Sequence, residues 1–263
     1  MRALAAASHA TVADRGAEGL PNLLELGADP MTRIGQTVWV KEIAPQIWLH
    51  TTTARIPGDY IFPANGLIIE RPSGSLMIDT GYLPEQSKTL LQWSKTSLST
   101  PITSALATHF HNDRTGGIAG LRKHGVHTLA YPLTCKLAFE HKLPVPDPIK
   151  DFRANRFRLD DSCELFFPGA GHTRDNVVVW IPQKRVLFGG CLLKSISSGG
   201  LGNIDDAVIA EWADSVRRVQ GQYPNPLFTI PGHGTIAGDP ASWTLTLLAK
   251  NQDTESQQPM NKV

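Results

Sequence analysis

The segment His109-Phe-His-Asn-Asp113 constrains the fold of this chain more than any other feature of the sequence. It follows the apolar run 102–107, which has the length and composition of a buried β-strand. Two histidines and a carboxylate at alternate positions beyond a strand end can point at one place, and both groups are ligands suited to zinc. Because a lone His-x-His pair often arises by chance, the interpretation depends on whether further ligands exist.

Three more residues of ligand type lie downstream, each beside glycine in a turn-like setting: His172, Cys191 and His233. Each comes shortly after an apolar run typical of a buried strand, and these runs are 165–167, 185–188 and 227–230. All six candidates would therefore project from strand ends. A chance convergence of the whole set is far rarer than a chance pair.

The six candidates divide by donor atom into two sets of three. One set supplies only nitrogen and the other mixes oxygen, sulfur and nitrogen: His109, His111 and His172, then Asp113, Cys191 and His233. Three protein ligands with an open position is the pattern of catalytic zinc, which lowers the pKa of a bound water to about 7. The two sets predict two Zn2+ ions per chain and metal-assisted hydrolysis of an acyl or related electrophile, without a protein nucleophile.

The composition of the chain limits which classes of protein it can belong to. The 263 residues, 41% of them hydrophobic, suffice for one large domain or two small ones. The net charge of +1, without long basic or acidic blocks, argues against nucleic-acid binding, and no apolar run is long enough to cross a membrane. The three cysteines argue against a disulfide framework, although a Cys135–Cys163 bridge stays open.

The N-terminal residues 1–34 show no clear hydrophobic period. We expect them to form a mobile tail, followed by a single domain over residues 35–263. The stretch before His9 and Asp14 lacks the apolar segment that secretory signals contain, so it is not a convincing signal peptide.

Apolar runs and turn residues alternate through the rest of the chain. Two hairpins are predicted over 36–51 and 66–79, and further strands over 102–107, 126–131, 162–167, 176–181, 185–188 and 227–230. Helices are predicted over 85–95, 115–124, 133–142, 206–223 and 241–251, with a Pro- and charge-rich connection over 143–158. This order fits a layered α/β protein with two sheets inside and helices outside.

Polar residues near the candidate ligands offer groups that a substrate could use. Lys194 is a surface lysine in the common case, but beside a metal site its ammonium could bind a substrate carboxylate. Asn203 is ordinarily a turn residue, but its amide could donate to an oxyanion. Tyr60 lies in the segment 51–62, which is either a simple hairpin loop or a flap over the pocket.

Two charged residues beside these motifs have structural interpretations. Arg114 is either a surface arginine or a group that orients Asp113 or the Cys191 loop. Asp79 ends an apolar strand, and we interpret it as a buried hydrogen-bonding anchor and not as a ligand.

These motifs together resemble the metallo-β-lactamases, specifically the first, di-zinc subclass of class B. The resemblance extends from about Val38 to the last helix. It rests on Leu76-Met-Ile-Asp-Thr80, Thr108-His-Phe-His-Asn-Asp-Arg-Thr-Gly-Gly-Ile118, Phe167-Pro-Gly-Ala-Gly-His-Thr173, Asp175-Asn-Val-Val-Val-Trp180, Leu187-Phe-Gly-Gly-Cys-Leu-Leu-Lys194, Gly200-Leu-Gly-Asn203 and Ile230-Pro-Gly-His-Gly234.

The resemblance implies a four-layer αββα sandwich and hydrolysis of the β-lactam amide in penicillins, cephalosporins and carbapenems. It carries the three histidines to one zinc site and the mixed set to the other. It gives catalytic roles to Asp113 and Asn203, and substrate contacts to Lys194, Asn203 and Tyr60. It also implies a role in antibiotic resistance, a periplasmic location, a monomer, and a small-molecule substrate as the partner.

Two departures from the wider superfamily favour a lactamase over a thioesterase. Relatives such as glyoxalase II and lactonases have His-x-His-x-Asp-His, where this chain has Arg114 as the last residue. Their bridging aspartate is matched here by Cys191. The alternatives are another metallohydrolase of this fold, acting on a thioester or lactone, and a non-catalytic zinc-binding scaffold.

Overall fold

In the computed structural model, which describes residues 25–26, 29–56 and 60–257, two β-sheets pack face to face. The larger sheet has eight strands: β3 (Thr32–Gly35), β4 (Val38–Ala44), β5 (Ile47–Ile56), β6 (Tyr60–Ile69), β7 (Ser75–Ile78), β8 (Ile102–Ala107), β9 (His127–Ala130) and β10 (Asp147–Pro148). The smaller has five: β11 (Arg156–Arg158), β12 (Glu164–Phe166), β13 (Val178–Ile181), β14 (Val186–Gly190) and β15 (Phe228–Pro231). A separate two-stranded hairpin joins β1 (Glu25–Leu26) to β2 (Asp29–Pro30).

Helices cover the outer faces of both sheets. The described helices are α1 (Pro84–Ser97), α2 (Asn112–Thr115), α3 (Ile118–Lys123), α4 (Pro132–Glu140), α5 (Ile209–Gln222) and α6 (Pro240–Gln257). Apolar residues of α1 and α3 pack on the larger sheet, and those of α5 and α6 pack on the smaller one. The layers are therefore helix, sheet, sheet and helix, which confirms the expected four-layer sandwich. No helix in this part of the chain combines the length and apolar character that a membrane crossing requires.

Strand alternation explains why the chain forms layers. On β6, Leu67 and Ile69 enter the core between the sheets, whereas Ile68 faces the helices on the other side. On β14, Phe188 points into the same central core and Leu187 points to the outer helices. Successive residues of a strand face opposite sides. A continuous apolar run therefore makes both faces of the sheet apolar, and each face must pack against another layer. Each buried side chain of this size contributes about 1.5–3 kcal/mol.

The register of both sheets brings several strand ends to one edge. Strands β3 to β7 are antiparallel neighbours, whereas β7, β8, β9 and β10 run parallel. In the smaller sheet only β14 and β15 pair in parallel. The segments that leave β8, β12, β14 and β15 at their carboxyl ends carry the candidate ligands.

The structure corrects three expectations about local elements. The predicted helix 115–124 is two short helices, because the Gly116-Gly117 pair interrupts it, and the first begins earlier, at Asn112. The connection 143–158 contains β10 and β11. The expected tail over 1–34 lies mostly outside the described residues, but Thr32–Gly35 forms β3 of the larger sheet, so the sheet begins before residue 35.

The hairpin of β5 and β6 extends beyond the sheet. Its paired register continues from Ile47 opposite Ile69 to Ile56 opposite Tyr60. Most of the segment 51–62 is therefore paired strand and not a loop. The three cysteines are all buried and free, so the Cys135–Cys163 bridge that the sequence left open does not form.

His50 is a buried histidine whose protonation should destabilise the protein. It lies 1% exposed on β5, Nε2 donates to the carbonyl of Ile78, and Nδ1 has no partner among the described residues. Burial, assisted by the positive charge of Arg114, lowers the pKa of His50 to about 4. The neutral form of His50 contributes its full stabilisation above about pH 6.5, the pKa of histidine in the unfolded chain. This contribution is lost as the pH falls from there toward about 4, the pKa in the folded protein.

We expect this titration to be visible as a difference between the protein and a His50→Asn variant. Between about pH 7.5 and about pH 5, metal-free wild type should lose about 2 kcal/mol more of its free energy of unfolding than the variant. Urea denaturation at several pH values measures this, and the other titrating groups cancel in the comparison. Parallel pH profiles would show that His50 has the same pKa in the folded and unfolded states, so that burial does not lower it.

Candidate metal centre

All six predicted ligands lie together at the carboxyl ends of the central strands. His109 and His111 occupy the turn from β8 into α2, Asp113 lies in the first turn of α2, and Cys191 directly follows β14. His233 comes two residues after β15. His172 lies on the loop between β12 and β13.

The rings of the three predicted all-nitrogen ligands lie next to one another. Nε2 of His109 lies 3.2 Å from Nδ1 of His111. The ring centroids of His109, His111 and His172 are 4.8 to 5.1 Å apart, with the planes nearly perpendicular. Among the described residues, the close groups of possible ligand atoms divide these histidines: His109 joins His111 and Asp113 in one group, and His172 and Cys191 in another.

The mixed set forms a second, adjacent cluster. Nε2 of His233 lies 3.1 Å from both Sγ of Cys191 and Oδ2 of Asp113, and Sγ and Oδ2 are 3.7 Å apart. In each of three groups of possible ligands, the donor atoms lie within 4.8 Å of one another, and one of those groups joins Cys191 to His109 and His172. The two clusters are therefore contiguous.

Glycine allows the Cys191 and His233 loops to approach. A Cβ on Gly232 would lie 2.7 Å from both the backbone nitrogen and Sγ of Cys191, which is closer than real contacts permit. The backbone N–H of Gly232 donates to the carbonyl of Gly190 at 2.7 Å. Any side chain at this position would separate two of the candidate ligands.

Two of the histidines are held in one orientation by groups outside the clusters. Nε2 of His111 lies 2.8 Å from Oδ2 of Asp206, so Nδ1 faces the cluster. Nδ1 of His233 donates to the backbone carbonyl of Pro63 at 2.6 Å, so Nε2 faces Cys191. Such contacts select the tautomer in which the inward nitrogen is free to bind a metal.

Arg114 lies beneath the mixed cluster and is fully buried. Its guanidinium pairs with Asp113 at 2.7 Å and Asp79 at 3.1 Å, and Nη2 lies 3.0 Å from Sγ of Cys191. It also donates to the backbone carbonyls of Asn65 and Gly232. Of the two interpretations of Arg114, the structure supports the orienting one and excludes a surface arginine.

Asp79 is a buried anchor, as predicted. Its carboxylate is 1% exposed and accepts hydrogen bonds from the backbone N–H and the hydroxyl of Thr108, next to the first histidine. Burial raises the pKa of Asp79 to about 6, although Arg114 works in the opposite direction.

The electrostatics of the mixed cluster favour a cation. Burial would raise the pKa of Asp113, but Arg114 and His233 hold it well below the usual range, so the group is ionised. Burial likewise opposes a charge on His233, but Cys191 and Asp113 outweigh it and raise its pKa to about 9. Without a metal, His233 thus holds a proton between two acidic groups, and a zinc ion would displace that proton.

The cluster of three histidines differs from the mixed cluster because burial favours neutral side chains in it. Burial keeps the pKa values of His109 and His172 well below the usual range, assisted by His111 for His109 and by Lys194 for His172. Neutral imidazoles have free lone pairs, which is the form that binds a metal. The donor types of both clusters therefore fit zinc.

A pocket of about 760 Å³ opens above the clusters. Its polar lining includes His111, Asp113, His172, Lys194, Asn203 and His233. The other residues of the lining include Ala54, Arg55, Phe62, Tyr82 and Leu83. The volume is that of a site for a small molecule and not for a macromolecule.

The structure places Lys194 and Asn203 in the pocket wall, but not Tyr60. Tyr60 is 70% exposed at the start of β6, outside the lining residues. Phe62, two residues later, lines the pocket instead, and its ring centroid is 4.7 Å from that of His233. Residues 60 and 62 face the same side of β6, so the alternation of side chains along a strand could have pointed to Phe62.

Sequence reasoning missed Asp206 and Tyr82. The sequence predicts Asp206 only as the first residue of the helix 206–223, whereas it lies in the loop before α5. Tyr82 follows the Asp79 motif, and burial together with Asp113 raises its pKa. Their position shortly after recognised motifs was the available signal.

Comparisons with known proteins agree with this arrangement. The sequence profile of the metallo-beta-lactamase superfamily matches residues 60–254. The chain is 34% identical over 202 residues to a metallo-beta-lactamase type 2 of Bacillus cereus, covering 76% of this chain and 78% of that protein.

Solved structures are similar over most of their length. The metallo-beta-lactamase FIM-1 from Pseudomonas aeruginosa, in its mono-zinc form, is 34% identical with a TM-score of 0.78, over 82% of this chain and 96% of that one. A metallo-beta-lactamase from Pontibacter korlensis is 37% identical with a TM-score of 0.75, over 81% and 99%. By sequence, fold and the grouping of its candidate ligands, this chain belongs to the metallo-beta-lactamase family.

Proposed function

We propose that this protein is a zinc-dependent β-lactamase that hydrolyses the amide bond of penicillins, cephalosporins and carbapenems. The observation that carries the proposal is the convergence of six ligand-type side chains in contiguous groups, four of which line one open pocket. Names of the relatives support the same reaction. A role in antibiotic resistance, a periplasmic location and a monomeric state are predictions of the resemblance.

We assign His109, His111 and His172 to one zinc ion, and Asp113, Cys191 and His233 to a second. When bound, zinc would supply activated water at neutral pH and stabilise negative charge on the substrate. The mono-zinc form of FIM-1 makes the number of ions worth measuring, because it indicates that one relative can hold a single zinc.

Lys194 and Asn203 are proposed to bind the substrate. The ammonium of Lys194 would pair with the carboxylate that penicillins and carbapenems carry. Oδ1 of Asn203 accepts the backbone N–H of Asp205 at 3.0 Å, which leaves its amide N–H groups to donate to a lactam carbonyl. A contact from Tyr60 would require the hairpin to bend toward the pocket.

The catalytic role of Asp113 is proposed to be orientation. A general base works best when its pKa lies near the operating pH, whereas the pKa of Asp113 is held well below its usual range. An ionised carboxylate of this kind is a better ligand and hydrogen-bond acceptor than a proton acceptor. It would hold the attacking water in position.

We expect purified protein to hydrolyse nitrocefin and a carbapenem, to lose this activity with a chelator, and to regain it when zinc is restored. Elemental analysis of zinc-replete protein should give about two ions per chain, because two complete three-ligand sets are present. Full activity at a plateau of one ion would contradict the two-zinc assignment.

The same assay separates the alternatives. Zinc-loaded protein should have a much higher kcat/KM for β-lactams than for S-lactoylglutathione or an acyl-homoserine lactone. Faster turnover of the thioester or lactone would identify another metallohydrolase of this fold. Zinc binding without hydrolysis of any of these compounds would indicate a scaffold.

A further inference from the structure

The ammonium of Lys194 lies against an aromatic ring. Nζ is 5.1 Å from the ring centroid of Trp212, and Lys194 as a whole is 8% exposed. Within the described residues, no hydrogen bond or ion pair reaches this nitrogen. A charged group so deeply buried needs compensation, and the ring face contributes to it beside the electrostatic attraction of Cys191 and Asp113.

This arrangement leaves the donors of Lys194 available. An acidic partner would stabilise the ammonium more strongly, but it would also occupy the N–H groups and neutralise the charge that attracts an anion. An aromatic face attracts the cation without accepting a conventional hydrogen bond. The N–H groups that point away from the ring can then bind a carboxylate in the pocket.

Trp212 is itself fixed in the fold. It lies on α5, is fully buried, and its indole N–H donates to the backbone carbonyl of Leu192 at 2.8 Å. Leu192 lies two residues before Lys194. The indole therefore contacts both the backbone before this lysine and the ammonium at the end of its side chain. Its ring centroid is also 5.7 Å from that of His172.

We infer that Trp212 is a positioning residue for substrate binding: its ring holds the ammonium of Lys194 in the pocket with the donors free for a substrate carboxylate. The inference rests on the proposed function, because it concerns the anchor of the same site. Trp212 acts through Lys194 and does not line the pocket.

A double-mutant cycle tests the inference. We expect Trp212→Leu to raise the KM for benzylpenicillin about tenfold, since the interaction of a desolvated ammonium with an indole has about this value. Trp212→Phe, which keeps a smaller aromatic face, should give an intermediate KM. The kcat should change by less than about threefold in both variants, because the anchor acts equally on bound substrate and transition state.

The Lys194→Gln background and an uncharged substrate isolate the mechanism. In that background the Trp212 substitutions should change KM by no more than about twofold, because the cation is gone. Benzylpenicillin methyl ester, which lacks the carboxylate, should have the same KM with all variants. Trp180→Phe is the matched control, since Trp180 packs on the same outer cluster and stacks on Tyr223 instead of Lys194.

Three other outcomes would contradict the role proposed for Trp212. If Trp212→Leu and Trp212→Phe lower kcat and zinc content in both backgrounds while KM for the acid stays constant, Trp212 supports His172 or the fold only. If Trp212→Leu does not fold, Trp212→Phe decides, and an unchanged ratio of acid to ester KM rejects the role. Wild-type protein that hydrolyses neither penicillin would reject the proposed function itself, and this inference with it.

Discussion

Replacing Cys191 with serine is expected to lower turnover of β-lactams by at least about a hundredfold, because even residues that only support a metal ligand can have effects of this size. A serine hydroxyl is a poor substitute for a thiolate as a zinc ligand. The three imidazoles on the other side of the cluster remain, so we expect the variant to keep one zinc ion and to lose most of the second. Elemental analysis and steady-state kinetics at saturating zinc would measure both effects.

The control for this substitution is Cys135→Ser. Cys135 is also buried and free, but it packs in a small cluster with Ala107, Ile118 and Ala130, away from the proposed ligands. It tests whether a serine at any buried cysteine disturbs the enzyme. Wild-type turnover and zinc content in Cys191→Ser would remove Cys191 from the proposed ligand set. An equal loss in the Cys135 variant would point to the fold and not to zinc.

The candidate ligands could be found from the sequence because metal chemistry restricts residue type. Few side chains bind zinc, and each of those predicted comes shortly after an apolar strand, so residue type and position together identify them. The larger elements were predictable for a related reason. Long apolar runs such as the one that forms β6 have few alternatives to a buried strand.

The partners of the ligands could not be predicted in this way. The carbonyl of Pro63 that orients His233 is a backbone atom 170 residues away, and every residue has such a carbonyl. Asp206 is 95 residues from His111, and an aspartate before a helix ordinarily indicates a cap. The short strands β10 and β11 are defined by their pairing with β9 and β12, and two or three residues are too few to show a period.

Arg114 is the clearest case in which sequence reasoning left two answers open. Arginine is rarely buried without partners, so a hydropathy pattern favours a surface position. Only the fold shows three acidic groups, Asp79, Asp113 and Cys191, converging on it. The same convergence gives Arg114 the largest expected effect on stability of any residue in the site.

Arg114→Met is expected to lower the free energy of unfolding of metal-free protein by about 3–5 kcal/mol, because it leaves buried acidic groups without their counter-ion. Methionine is unbranched and apolar, so the loss should reflect charge and hydrogen bonding more than packing. Urea denaturation of chelator-treated protein measures the effect. Arg122→Met is the matched control: Arg122 pairs with Asp147 on the surface, with its side chain 41% exposed, and should cost less than about 1 kcal/mol.

Zinc should reduce the penalty of Arg114→Met. A divalent ion bound by Asp113 and Cys191 would neutralise two of the acidic groups that the arginine otherwise compensates, leaving mainly Asp79 unpaired. The loss of unfolding free energy caused by Arg114→Met should therefore be smaller in zinc-loaded protein than in metal-free protein. The difference between the two losses measures how far zinc and Arg114 compensate the same acidic groups. An equal penalty with and without zinc would mean that the ion does not bind next to Arg114, against the assignment of the mixed set. A penalty no larger than that of Arg122→Met would mean that the buried anions are compensated by other groups.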